Sequence, residues 1–172
     1  MPTRGFLPTD VHGARDTIDQ VHHEIHEGKH YTAYIYDADM STGSSLSLLV
    51  TAPASGETHL AGLVKSSGAG SFVWSEAPNA SGGAAITPYN NNRQSSNSAS
   101  TTVVSDPTIT SAGTTLLQSD VGATGTPQTR VGGEFAARQE WILDTDTAYL
   151  LEYTSAADSN KVTLIFEWYE ED

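Results

Sequence analysis

In residues 161–169, Val162, Leu164, Phe166 and Trp168 alternate with Thr163 and Glu167. A period of two sets the four apolar side chains on one face of a β-strand, whereas the roughly 100° step of a helix would scatter them. Such a strand has one face to bury and needs both a sheet and an opposing layer. The acidic run Glu170, Glu171 and Asp172 after it is expected to stay in solvent and blunt an edge.

Runs of the same type recur along the chain. Residues 30–36, 45–51, 58–65 and 71–76 are rich in aromatic and β-branched side chains. They are separated by turn-forming clusters: Asp37-Ala38-Asp39, Pro53 with Ser55-Gly56, Ser67 to Gly70, and Pro78-Asn79. Gly68 to Ser71 is expected to be a hairpin turn. Near the end, residues 140–143, 147–154 and 161–169 suggest an antiparallel meander with turns at Asp144-Thr145-Asp146 and at 155–160. Short strands with regular turns predict an all-β fold, an antiparallel β-sandwich of jelly-roll type. Trp74, Trp141 and Trp168 all fall in strand patterns, which assigns them to the core.

Between Ser66 and Gln128 only Glu76, Arg93, Asp106 and Asp120 are charged. Residues 77–129 are Ser-, Thr- and Asn-rich, yet they contain short β-prone pieces at 102–104 and 114–117. They are expected to form long loops carrying two or three short strands, on one side of a domain spanning residues 30–172. Loops of this length are commonly functional or interfacial.

Residues 1–29 differ in character. Ile18, Val21 and Ile25, at i, i+3 and i+7, suit a short helix from Asp16. The same stretch reads equally as an extended arm with sparse apolar anchors, and the arm is the preferred expectation. Met1 to Pro8 carries two prolines and lacks the apolar stretch of a secretory signal. No run is long and apolar enough to span a bilayer. The chain is therefore expected to be soluble and not exported by that route.

Charge narrows the partners. Eight Lys and Arg stand against 21 Asp and Glu, a formal net charge of −13. Nucleic acids and anionic membrane surfaces bind through cations, so neither is an expected partner. The absence of cysteine excludes disulfides, Cys-ligated metals and Cys nucleophiles.

One pattern resembles a catalytic signature. His26-Glu27-Gly28-Lys29-His30 fits H-E-x-x-H, in which one helical turn places two imidazoles on a zinc ion. Gly28 disfavours helix inside it, and His30 opens the β-prone run 31–36, so the peptidase context fails. A looser metal cluster of His22, His23, His26 and His30 ranks below polar contacts made by these histidines. The Asp37/Asp39 and Asp144/Asp146 pairs suit turn caps better than calcium. No nucleophile elbow or phosphate loop occurs. The sequence therefore assigns no catalytic residue, metal or cofactor.

The runs Ile25 to Tyr31, Thr87-Pro88-Tyr89-Asn90-Asn91-Asn92-Arg93, Arg130 to Glu134, Glu140 to Leu143 and Phe166 to Glu170 resemble a family of small structural proteins of tailed bacteriophages. Its members are regarded as head decoration, head-fibre or other auxiliary virion proteins. The resemblance covers most of the chain from about Ile25. It implies a non-enzymatic capsid decoration or cement protein, made in the host cytoplasm and bound to the major capsid protein on the outside of the head, which it stabilises. A fibre or neck component, or a carbohydrate-binding jelly-roll module using Tyr89 and Asn90 to Asn92, is the alternative. On this view Arg4, Phe6, Leu7, Val11 and Arg15 attach the arm to the shell. His26, His30, Asn90, Asn91, Asn92 and Arg93 are candidates for contacts between subunits of a homo-oligomer, with a trimer favoured over a dimer.

Overall fold

A computed structural model of the protein describes residues 19–122 and 140–171. Arg4, Phe6, Leu7, Val11, Arg15 and the run Arg130 to Glu134 lie outside the described residues. One helix, α1 (Gln20–Glu27), precedes β1 (His30–Met40), β2 (Ser45–Thr51), β3 (Glu57–Ser66) and β4 (Gly70–Glu76). Five short strands follow: β5 (Asn79–Ser81), β6 (Ala84–Ile86), β7 (Tyr89–Asn90), β8 (Thr102–Ser105) and β9 (Thr108–Ser111). The last are β10 (Thr114–Val121), β11 (Trp141–Leu143), β12 (Ala148–Ser155) and β13 (Asn160–Glu171).

The fold is all-β and its sheets are antiparallel. One sheet has the order β11-β3-β13-β1-β7, another β10-β4-β12-β2-β8-β6, and β5 pairs with β9 separately. The pairings are nested: β1 with β13, β2 with β12, β3 with β11 and β4 with β10. The chain thus runs out along four strands and returns along four. Pairs β13·β3 and β12·β4 tie neighbouring turns of this ribbon into the two sheets.

Four local expectations are corrected by the structure. The segment 140–171 is no meander, because β11 and β13 belong to one sheet and β12 to the other. Gly68 to Ser71 is no hairpin turn, because β3 and β4 also lie in different sheets; the connection crosses between them. β13 is no edge strand, being paired with β1 on one side and β3 on the other. Its acidic end is correspondingly engaged. The Glu170 carboxylate accepts from the Ser100 amide at 2.9 and 3.0 Å, the Thr101 amide at 2.9 Å and Trp168 Nε1 at 3.1 Å. Asp37 to Asp39 does not end β1, which continues through a bulge to Met40.

Both sheets feed one core. Leu60, Val64, Leu164, Phe166 and Trp168 come from the first and Leu48, Val50, Trp74, Leu151 and Tyr153 from the second, each at most 1% exposed. Trp74 meets Phe166 edge-on across the core, with centroids 5.6 Å apart, and stacks on Tyr149. Trp141 is half-buried against the same cluster. Burying each of these large side chains contributes roughly 1.5–3 kcal/mol.

The segment between β4 and β10 is partly built into the sheets. β7 extends the first sheet beside β1, and β8 and β6 extend the second beside β2. Strands β5, β6, β7 and β9, at two to four residues each, are too short for periodicity to mark them in the sequence.

Candidate interaction face and its clasp

The helix and the clasp beside it occupy one end of the first sheet. Asp19 caps α1, its carboxylate accepting from the Val21 amide at 3.0 Å. Gly28 ends the helix at φ +71°, a conformation open to glycine without steric cost. The part of the expected arm within the described residues is therefore helical. Its buried side chain is Glu24; Val21 faces solvent. The Glu24 carboxylate accepts from Gln20 Nε2 at 2.8 Å and from His23 Nδ1 at 3.0 Å within the helix. Gln20 Nε2 also donates to Glu171 Oε1 and Asn92 Nδ2 to His26 O, so α1 is joined to its neighbours by polar contacts that a search for an apolar stripe misses.

The helix stop divides H-E-x-x-H between two elements. His26 stays on α1, with its Nε2 2.9 Å from Nε2 of His22, while His30 opens β1. His30 is buried and takes part in a different set of contacts. Asn91 Oδ1 accepts from Thr32 Oγ1 at 2.8 Å, which turns Nδ2 toward His30 Nδ1 at 2.7 Å. That nitrogen must be unprotonated to accept, in agreement with burial lowering the His30 pKa against the opposing pull of Glu167.

The six residues expected at a subunit contact meet here within one chain. Asn90 Nδ2 donates to Gly28 O at 2.8 Å, and Asn92 Nδ2 donates to His26 O at 3.2 Å. The Arg93 guanidinium lies over the Tyr89 ring at 5.8 Å and reaches Asn90 O at 3.4 Å. Backbone pairing of Tyr31 with Asn90 completes the clasp. Two runs far apart in sequence, 25–31 and 87–93, thus form one unit.

Beyond the clasp, the outer face of the first sheet presents rows fixed by strand register. Tyr34, Ile165 and Leu63 form one row across β1, β13 and β3; Tyr36, Thr163 and Lys65 form the next. Tyr89, Thr32, Glu167 and Ala61 form a third. Tyr34, Tyr36 and Tyr89 are 50%, 55% and 52% exposed, so this face is aromatic and open to solvent. Its three rows carry one Lys and one Glu, in contrast to the acidic chain as a whole. Sequence reasoning passed over Tyr34 and Tyr36 because β-propensity alone accounts for tyrosines in a strand. The available signal was parity: both stand opposite Tyr31 and Ala33, which are buried.

Comparison with protein-family models, with curated proteins and with solved structures found no match.

Proposed function

We propose that the chain is a non-enzymatic structural protein of a phage virion, a decoration protein seated on the shell protein of the head. The reading includes the finer architecture. Nested pairs β1·β13, β2·β12, β3·β11 and β4·β10 are what an eight-stranded jelly roll requires, with residues 77–113 as an insertion at the tip of the ribbon. A rigid roll of this type suits a part whose work is to bind and cover.

The observation that carries the reading is the open aromatic face of Tyr34, Tyr36, Tyr89, Leu63 and Ile165. Tyrosine offers large contact area at little rotamer cost, and its hydroxyl tolerates water before docking. Modest contacts per subunit suffice when an oligomer engages several shell sites at once. The −13 charge keeps crowded copies apart elsewhere on their surfaces. The glycan-binding alternative has less support, because Asn90, Asn91 and Asn92 direct their side chains to the chain's own backbone and to His30.

The test is co-sedimentation with heads of the virus that encodes the chain, prepared without it. The intact protein is expected to pellet with the heads, and the double variant Tyr34→Ser/Tyr36→Ser is expected to stay in the supernatant while melting normally. Failure of the intact protein to bind heads refutes the proposal. Sedimentation of the free protein reads its oligomeric state, for which a trimer is expected.

A further inference from the structure

Beyond the clasp, at the β11 side of the first sheet, His59 of β3 is enclosed by carboxylates. Its Nδ1 lies 2.5 Å from Glu140 Oε1, and the Tyr169 hydroxyl donates to the same Glu140 oxygen at 2.6 Å. The Tyr169 ring stacks on the imidazole, with centroids 4.5 Å apart and planes 12° from parallel. The other ring nitrogen, Nε2, points toward Glu57 Oε2 at 3.4 Å. One ligand atom each from Glu57, His59 and Glu171 lies within 4.8 Å of the others. Glu57 and Glu171 are directly paired in register, so two adjacent strands bring the carboxylates together.

We infer that Glu57, His59 and Glu171 form a binding site for a divalent transition-metal ion of the zinc type, with Glu140 as the group that orients the imidazole. The inference rests on the two nitrogens having distinct surroundings. A carboxylate accepting from Nδ1–H fixes the tautomer and leaves Nε2 on the Glu57 side, with Glu171 in the same cluster, the arrangement by which proteins prepare a histidine for a metal. Zinc takes nitrogen and oxygen donors at about 2.0–2.2 Å, so two of its ligand atoms can stand no more than about 4.4 Å apart. A small rotation of the Glu57 side chain, which is 64% exposed, closes the observed spread. Three carboxylates around one imidazole also leave local negative charge that a cation offsets.

The site opens to solvent. Glu57, Glu170 and Glu171 line a depression of about 280 Å³ with Pro53, Ser55, Gly56 and Ser100, and the exposed Glu57 side chain leaves the cluster within reach of an ion from solvent. Gln20 Nε2 donates to Glu171 Oε1 at 3.1 Å and so connects α1 to the same group. A bound ion therefore ties the start of β3 to the end of β13 beneath the helix. This inference does not depend on where the protein docks.

The experiment titrates Zn²⁺ into the full chain after removal of metal with EDTA, read by calorimetry and by the NMR signals of the histidine rings. One site is expected, with the His59 signals shifting and the melting temperature rising. Glu57→Gln and His59→Gln are each expected to weaken binding at least 100-fold, and Glu140→Gln 10- to 100-fold. Glu57→Gln alters an exposed side chain and serves if the His59 variant folds poorly. The His22→Gln/His26→Gln variant is expected to bind as the parent does. Absence of a site in the parent overturns the inference. So does loss of the site with His22 and His26 together with its retention in Glu57→Gln, which would assign the ion to the exposed histidine pair.

Discussion

Asn160 Nδ2 donates to the Tyr153 hydroxyl at 2.8 Å, joining the first residue of β13 to the core face of β12. Asn160 is wholly buried, and its Oδ1 accepts from the Gly68 amide at 2.7 Å and from Ser66 Oγ at 2.9 Å. Its Nδ2 also reaches Ser155 Oγ at 2.9 Å. One amide therefore satisfies the backbone of the crossing between the sheets. Glycine at position 70 is part of the fit, since a Cβ there would stand 2.1 Å from the Tyr153 hydroxyl.

Replacing Asn160 by leucine keeps the branched side-chain skeleton and strands these partners without water. A buried donor or acceptor left unmade costs about 1–3 kcal/mol, and at least two are created here. Asn160→Leu is expected to lose about 3–5 kcal/mol of stability in urea denaturation. A loss below about 1 kcal/mol would contradict the role given to the amide.

Glu170 makes an independent case. Its carboxylate holds the Ser100 and Thr101 amides and the Trp168 indole. Hydrogen bonds to a charged group contribute about 1.5–3 kcal/mol each at most, and they overlap on one side chain. Glu170→Ala is expected to cost about 2–3 kcal/mol. Amide exchange at Ser100 and Thr101 should accelerate more than at β12, and equal acceleration at both places would count against a local tether.

At Gly28 an added methyl meets two obstacles. The residue has φ +71°, and a Cβ would lie 2.3 Å from Ser95 Oγ and 2.7 Å from Ser95 Cβ. Gly28→Ala is expected to destabilise by about 1–3 kcal/mol and to loosen the clasp, read as faster exchange at Asn91 and Ser95 amides.

The buried His30 gives stability a pH dependence of definite sign. Its folded pKa lies below the ordinary 6.5, so as pH falls under 6.5 the unfolded chain takes up a proton before the folded one does. The contribution of neutral His30 is fully present above that pH and declines as pH drops toward the folded value. His30→Gln can still accept from Asn91 and is expected to flatten this acid slope in denaturation measured from pH 7.5 downward. An unchanged slope would show that other groups produce it.

Tyr149 acts at the opposite end of the scale. Its hydroxyl donates to Glu76 Oε1 and accepts from the Asp144 amide, each at 2.9 Å, and burial is the main cause of a pKa pushed up to about 12. The stabilisation is complete below the ordinary 10 and is lost as pH rises through about 12. Tyr149→Phe is expected to cost about 1–2 kcal/mol at pH 7. In ultraviolet titration the difference between parent and variant should show no phenolate absorbance until well above pH 10.

Local order was legible where the residues themselves encode it. The even positions of 162–168, the turns at Pro53 and Asp144, and Gly28 as a break in H-E-x-x-H follow from periodicity and backbone chemistry, and the structure agrees at each. Sheet membership was not legible, because β12 sits between β11 and β13 in sequence yet hydrogen-bonds to β2 and β4. Such pairing is decided by contacts between residues far apart in the sequence, as Tyr149 with Glu76 and Thr154 with Ser45. The same holds for the candidate sites. Asn91 and His30 were both singled out, but nothing local states that they touch. His59 reads as one polar residue in a strand until β13 brings Glu171 beside Glu57.

The position of β13 between β1 and β3 bears on how the protein emerges from the ribosome. Until residue 171 has been translated, the two flanking strands have no shared neighbour, and the nascent polypeptide carries an open slot lined by unpaired amides and carbonyls. Closure accordingly waits for β13 and is slow relative to a fold built from local contacts. The β13 strand of a second copy has the register for the same slot, which makes products lacking β13 the species most prone to cross-pairing.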